Sequence, residues 1–129
     1  MYKWTKFPHD TAGFDYPGSK LEDAWEDLHR GDQEAFPEEA QLQEAWRCFH
    51  RGDFQQATEL ADEFGLAGHA VANKAAGIYA TYLEDDQKRQ IDCFKSAIKR
   101  AEQAIEEFPE DANSHYFHAF NLGRYSQSI

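Results

Sequence analysis

Residues 42–64 read LQEAWRCFHRGDFQQATELADEF. Leu42, Ala45, Trp46 and Phe49 recur at intervals of three and four, which places them on one face of a helix. Gly52 follows, the residue type that takes the left-handed C-cap conformation without a steric penalty. Asp53 is suited to cap a second helix, with Gln56 as its capping-box partner. Phe54, Ala57, Leu60, Ala61 and Phe64 line that helix, and Gly65 closes it. The stretch predicts a helix–turn–helix hairpin. Such a hairpin cannot bury both apolar faces alone, so it needs neighbours of its own kind.

Outward from the hairpin, the sequence supplies them. A first helix is expected from Ser19, where Glu22 completes S-x-x-E. Leu21, Ala24, Trp25 and Leu28 form its stripe and Gly31 its end. The hairpin's own helices are expected over 37–51, with Pro37 in the first turn, and over 53–64. A fourth helix, 68–84, carries Val71, Ala75, Ile78, Tyr79, Tyr82 and Leu83, and its Ala and Gly content lets neighbours come close. A fifth, 86–108, has the stripe Ile91, Phe94, Ile98, Ala101, Ile105 and Phe108. Its Glu106 and Glu107 oppose the helix dipole. Pro109 stops it, and a sixth helix runs toward Ile129 with Tyr116, Phe117, Phe120, Leu122 and Tyr125. No strand alternation is present. One all-α domain of about six helices over residues 19–129 is expected, preceded by an arm over 1–18. The arm's aromatics (Tyr2, Trp4, Phe7, Phe14, Tyr16) are expected to pack on the helical body.

Composition narrows the classes of function. The chain has 129 residues, 24 acidic against 13 basic, and a net charge of −11. Nucleic-acid binding draws on clustered cations, so this balance argues against it, and against an anionic membrane surface. No apolar run is long enough for a membrane span, and the N-terminus has no apolar leader, so a cytoplasmic protein is expected. Cys48 and Cys93 lack metal-site spacing and fall on apolar helix faces, so both are read as buried thiols. No cofactor fingerprint occurs.

The chain also repeats itself. LEDAWEDLHRGD at 21–32 matches LQEAWRCFHRGD at 42–53, offset by 21 residues. Ala45, the Gly52-Asp53-Phe54 turn, Ala57, Ala61 and Phe64 resemble a tetratricopeptide repeat. A second, weaker unit places Gly77 on its first helix and Ala97, Ala101, Ala104 and Pro109 on its second, with a longer turn between them. A third begins near Asn113 and is incomplete. Gly123 to Gln127 is similar to a segment of a longer bacterial group of such proteins. The resemblance implies antiparallel helix pairs in a right-handed superhelix and a concave groove that takes a peptide or a helix. It implies groove positions at Leu42, Trp46, Phe49, Lys74, Ile78, Thr81, Tyr116 and Phe120, open to a partner or filled by the arm or the first helix. The carboxylate-clamp residues of one subgroup are not matched, because Leu42 and Trp46 stand there.

With no partner helix after it, the sixth helix would expose Phe117, Phe120 and Leu122. Self-association through these and Tyr125, as a dimer with exchanged helices, is therefore expected. The function so implied is a non-enzymatic scaffold that binds a protein segment or itself. A competing reading is a small metal-binding or hydrolytic domain built on His115 and His118, which share a helical face. His29 and His50 precede glycines, where a cation favours a helix C-terminus. The two Arg-Gly-Asp copies, 30–32 and 51–53, fit helix–turn grammar better than an adhesion loop. Lys88, Arg89, Lys95, Lys99 and Arg100 form a basic island, read as a solvated helix face.

Overall fold

A computed structural model describes residues 3–129; Tyr2, one of the arm aromatics, lies outside the described residues. The chain is all-α. Its helices are α1 (Lys20–Leu28), α2 (Ala40–His50), α3 (Phe54–Phe64), α4 (His69–Tyr82), α5 (Gln87–Glu107) and α6 (Ala112–Ser128). Short 3-10 turns cover Ala12–Phe14 and Leu66–Gly68, and no strand occurs among the described residues. From α2 onward each helix packs on the next, and α4 also touches α2 and α6. One layer therefore presents α2, α4 and α6 side by side.

Helix ends follow backbone geometry more than side-chain type. Gly52 and Gly65 take φ of 83° and 91°, as their places at helix ends require. Gly31 does not: α1 stops at Leu28, and the left-handed residue of the following turn is Gln33 at φ 53°. The capping boxes expected at Ser19 and Asp53 do not form. Ser19 already has helical φ and ψ, because a turn from Pro17 to Lys20 starts the winding before it. Asp53 sits at ψ 70°, short of the extended conformation a capping side chain uses. Asp86 and Asp111, at ψ 119° and 112°, do cap, accepting from the N–H groups of Arg89 and Ser114. Pro37 precedes α2 instead of entering its first turn, and its carbonyl accepts from Gln43 Nε2 at 2.8 Å.

The core is centred on α4, where His69–Gly77, Tyr79 and Ala80 are buried apart from Lys74. Small residues make this possible. A Cβ on Gly77 would stand 2.7 Å from Asn121 Oδ1 of α6, and one on Gly68 would stand 2.5 Å from the Ala61 carbonyl of α3. Two expected stripes shift as a result. Tyr82 leaves the core and is 70% exposed. The buried face of α5 runs through Cys93, Phe94, Ala97, Ala101 and Ala104, leaving Ile91, Ile98 and Ile105 half-buried at its edge. Phe117, expected to be uncovered, is buried where α6 packs on α4 and α5.

The arm lies against the α3–α4 side of the body. Trp4 stacks on Tyr79 with centroids 4.2 Å apart. The Thr5 N–H donates to Tyr79 Oη at 2.9 Å, and the Trp4 N–H donates to Gln55 Oε1 at 2.9 Å. Tyr79 in turn donates to Glu84 Oε1 at 2.8 Å. Phe7 covers Gly52, where an added Cβ would fall 2.7 Å from the Phe7 ring. Phe14 is exposed and takes no part in this packing.

The two Arg-Gly-Asp glycines are therefore expected to differ. Gly52→Ala forces a positive φ on alanine and a contact with Phe7, at a cost of about 1–3 kcal/mol. Gly31→Ala meets nothing within 4 Å and is expected to stay within about 0.5 kcal/mol of the parent. Urea midpoints of the two variants measure the difference.

Candidate functional site

The layer formed by α2, α4 and α6 divides into a covered half and an open half. The covered half holds Leu42, Trp46 and Phe49, all buried, with Trp46 only 3% exposed. The cover is α1 and the segment after it, while residues 3–7 of the arm lie elsewhere. Trp25 meets Trp46 edge to face at 5.4 Å and Phe36 at 5.2 Å, and its Nε1–H donates to the Glu34 carbonyl at 2.7 Å. His29 stacks on Trp25 at 3.7 Å and meets Trp46 edge-on at 4.5 Å. Leu42, Trp46 and Phe49 thus stand in the core and offer no free surface.

A polar cluster closes this half. His29 Nε2 lies 3.2 Å from His50 Nε2, and His29 Nδ1 lies 3.1 Å from Asp32 Oδ1. Lys74 Nζ donates to Asp32 Oδ2 at 3.1 Å while passing over the rings of Phe49 (5.3 Å) and Trp46 (5.9 Å). Glu34 accepts from Asn113 Nδ2 of α6 at 2.6 Å.

Burial and charge set the protonation states. Burial pushes the His50 pKa down to about 4, helped by His29 and Lys74 and opposed by Asp32. Burial also lowers His29, against the pull of Asp32. Burial alone would raise Asp32, but the Glu34 N–H and Lys74 hold it below the usual carboxylate range. Burial raises Glu34. The expectation that His29 and His50 serve as cations at helix ends is corrected: they are a close pair, His29 buried and His50 half-buried, whose neutral form is favoured. The signal was present in the sequence, since the 21-residue offset places the two histidines at equivalent positions of a duplicated helix.

The open half is a cavity of about 230 Å3 lined by Asn73, Lys74, Ile78, Tyr82, Tyr116, Phe117 and Phe120. Of the expected groove positions, Lys74, Ile78, Tyr116 and Phe120 come together here. Tyr116 is 60% exposed and lies over Phe120 with centroids 6.3 Å apart. Phe117 forms the floor. Arg124 reaches over Phe120 at 5.6 Å. Asn73 is fully buried; its Oδ1 accepts from Arg100 Nη1 at 2.8 Å, and its Nδ2 has no partner among the described residues. Thr81 turns its hydroxyl to the Gly77 carbonyl of its own helix.

The other sequence candidates are dispersed. His115 Nε2 is 2.7 Å from the Pro109 carbonyl, whereas His118 faces Glu102 at 3.5 Å. Among the described residues no three His, Cys, Asp or Glu side chains are placed to hold a metal ion. The basic island is split: Lys88 pairs with Asp92, Arg100 with Asp62, and Lys95 lies over Tyr125. Cys48 and Cys93 are buried and not in a disulfide, and burial lifts the Cys48 pKa to about 11. Among the described residues no helix is long and apolar enough to cross a membrane. No protein-family model matches the chain, and no curated protein or solved structure matches it significantly.

The depressed histidine pKa values fix the sign of a pH effect. The stability contributed by the neutral pair is complete above about pH 6.5, the ordinary histidine value. It is lost as pH falls toward the folded value of about 4. The urea midpoint is expected to be lower near pH 5 than near pH 7.5, and His50→Gln is expected to shrink that difference.

Proposed function

We propose that the chain is a non-catalytic scaffold of tetratricopeptide-like helices that holds a protein segment on its α2–α4–α6 face. In this reading α2–α3 and α4–α5 are successive repeat units and α6 opens a third. The contacts of α4 with both α2 and α6 support that arrangement. The observation that carries the function is the open cavity between α4 and α6, whose Ile78, Tyr82, Tyr116 and Phe120 present apolar and aromatic surface to solvent. Concave sites of this makeup are where side chains of a partner are buried. Lys74 and Arg124 flank the cavity with donors that fix the orientation of a bound backbone or carboxylate.

Panning the full chain against a displayed random-peptide library tests this. Enriched peptides are expected to bind wild type and to lose about tenfold or more in affinity to Ile78→Asp and to Tyr116→Ala. Absence of enrichment, or peptides indifferent to both substitutions, would count against the cavity as the site.

A second reading, association of two copies through α6, is favoured by the exposure of Leu122 (43%) on that helix, with Phe120 and Tyr125 half-buried beside it. Phe117 is the floor of the cavity and is not part of that surface. A dimer mass in light scattering at micromolar concentration is expected, reverting to a monomer in Leu122→Glu. A monomeric wild type sinks this reading.

A further inference from the structure

The cover over Trp46 is fastened largely by side chains. Trp25 supplies the apolar contact. The polar attachments are the His29–His50 contact at 3.2 Å, Asp32 on Lys74, Glu34 on Asn113 and, just before α1, the carbonyls of Tyr16 and Gly18 on Arg47. In the histidine contact only one Nε2 can carry a hydrogen. Asp32 accepts from His29 Nδ1–H, so His29 Nε2 is the acceptor and His50 Nε2–H the donor.

The groups facing the pair are few. Asp32 comes from the segment between α1 and α2, and Lys74 from α4. Tyr16 of the arm meets the His50 ring at 5.9 Å. Trp25 of α1 and Trp46 and Phe49 of α2 complete the enclosure. Asp32 is the carboxylate among them, and it already accepts from Lys74 and from the Glu34 N–H. One added proton can be held, with His29 donating to both Asp32 and His50. A second cannot: both Nε2 atoms would carry hydrogen across 3.2 Å, with two cations facing each other beside the Lys74 ammonium.

We propose that α1 is a hinged lid over half of the α2–α4–α6 face, latched by the His29–His50 contact at neutral pH and released when acid protonates both rings. Release uncovers Trp46 beside the Lys74 that also lines the open cavity, and lengthens the apolar face. The chain after α1 is non-helical over 29–39, with Gln33 at φ 53°, and Asp32 on Lys74 and Glu34 on Asn113 keep that stretch anchored while α1 moves. The meaning of the lid rests on the binding reading above, but its test involves no partner, so the two can fail separately.

Hydrogen–deuterium exchange on the full chain, corrected for the pH dependence of intrinsic exchange, reads the lid directly. Between about pH 7.5 and about pH 5, protection of the α1 amides is expected to fall by at least about tenfold while remaining below that of the α5 amides, which change no more than the urea-measured global stability does. In His50→Gln, which keeps a donor toward His29 without a titrating ring, the α1 loss is expected to disappear. An α1 that exchanges only together with α5 by global unfolding, an α1 that does not respond, or a wild-type response in His50→Gln overturns the proposal. Should His50→Gln fail to fold, the imidazole resonances of wild type decide. Coupled titration of His29 and His50 that tracks the α1 loss sustains the latch, and titration without movement of α1 overturns it.

Discussion

Four helices can close on α4 because α4 has almost no girth. Ala70, Ala72, Ala75, Ala76, Gly77 and Ala80 are all buried. At Gly77 and Gly68 the neighbouring helix or turn comes within the radius a methyl group would occupy. Dispersion between helices falls away within a fraction of an ångström, so close approach is what makes such a small-residue helix cohesive. Tyr79 is the large exception, and its buried ring receives the arm. The same economy explains the cavity. Toward its C-terminal end α4 carries Ile78 and Tyr82, which α6 does not fully cover, and the space between them is what remains open.

The duplicated segment shows how context assigns roles to identical residues. Leu21 and Trp25 in α1 and His29 at its C-cap recur as Leu42, Trp46 and His50 in α2, and the two sets meet through their tryptophans and histidines. Beyond the histidines the copies diverge. Asp32 is drawn inward to His29 and Lys74, while Asp53 is exposed. Arg30 pairs on the surface with Asp27, while Arg51 reaches Glu44 and the Cys48 sulfur. Gly52 is held at positive φ under Phe7, and Gly31 is not. The pseudo-repeat thus supplies a lid to itself, made from the same pattern as the surface it covers.

Existence and order of the six helices were legible in the sequence, because apolar spacing and the Gly and Pro punctuation are local signals. Their ends were less so. Ser19 and Asp53 have the right side chains for capping but the wrong backbone, and that backbone is set by the turns before them. The faces of α5 and α6 also moved: hydropathy alone cannot show that small residues such as Ala97 and Ala104 mark the line of closest approach, nor that Phe117 finds a place beneath α4. The α2–α4–α6 face was legible as a row of positions, but its division into halves was not. Which helix covers Trp46 depends on contacts between segments some twenty residues apart, and no local period encodes them. The histidine pair was within reach, since the repeat offset aligned His29 with His50 before any coordinate did.

The arm adds a consequence for the order in which the molecule assembles. Most helix contacts here join neighbours in the chain, the kind of topology that folds quickly because little loop entropy is spent before contacts form. The bond from Thr5 to Tyr79 spans 74 residues and needs α3 and α4 already in place to receive it. Each doubling of a closed loop adds about 0.6 kcal/mol of entropic cost, so this closure ranks with that of Asn113 on Glu34, 79 residues apart, among the dearest described. A strap that closes this late would contribute little to the nucleus, and its grip would be felt chiefly in how slowly the finished fold comes apart.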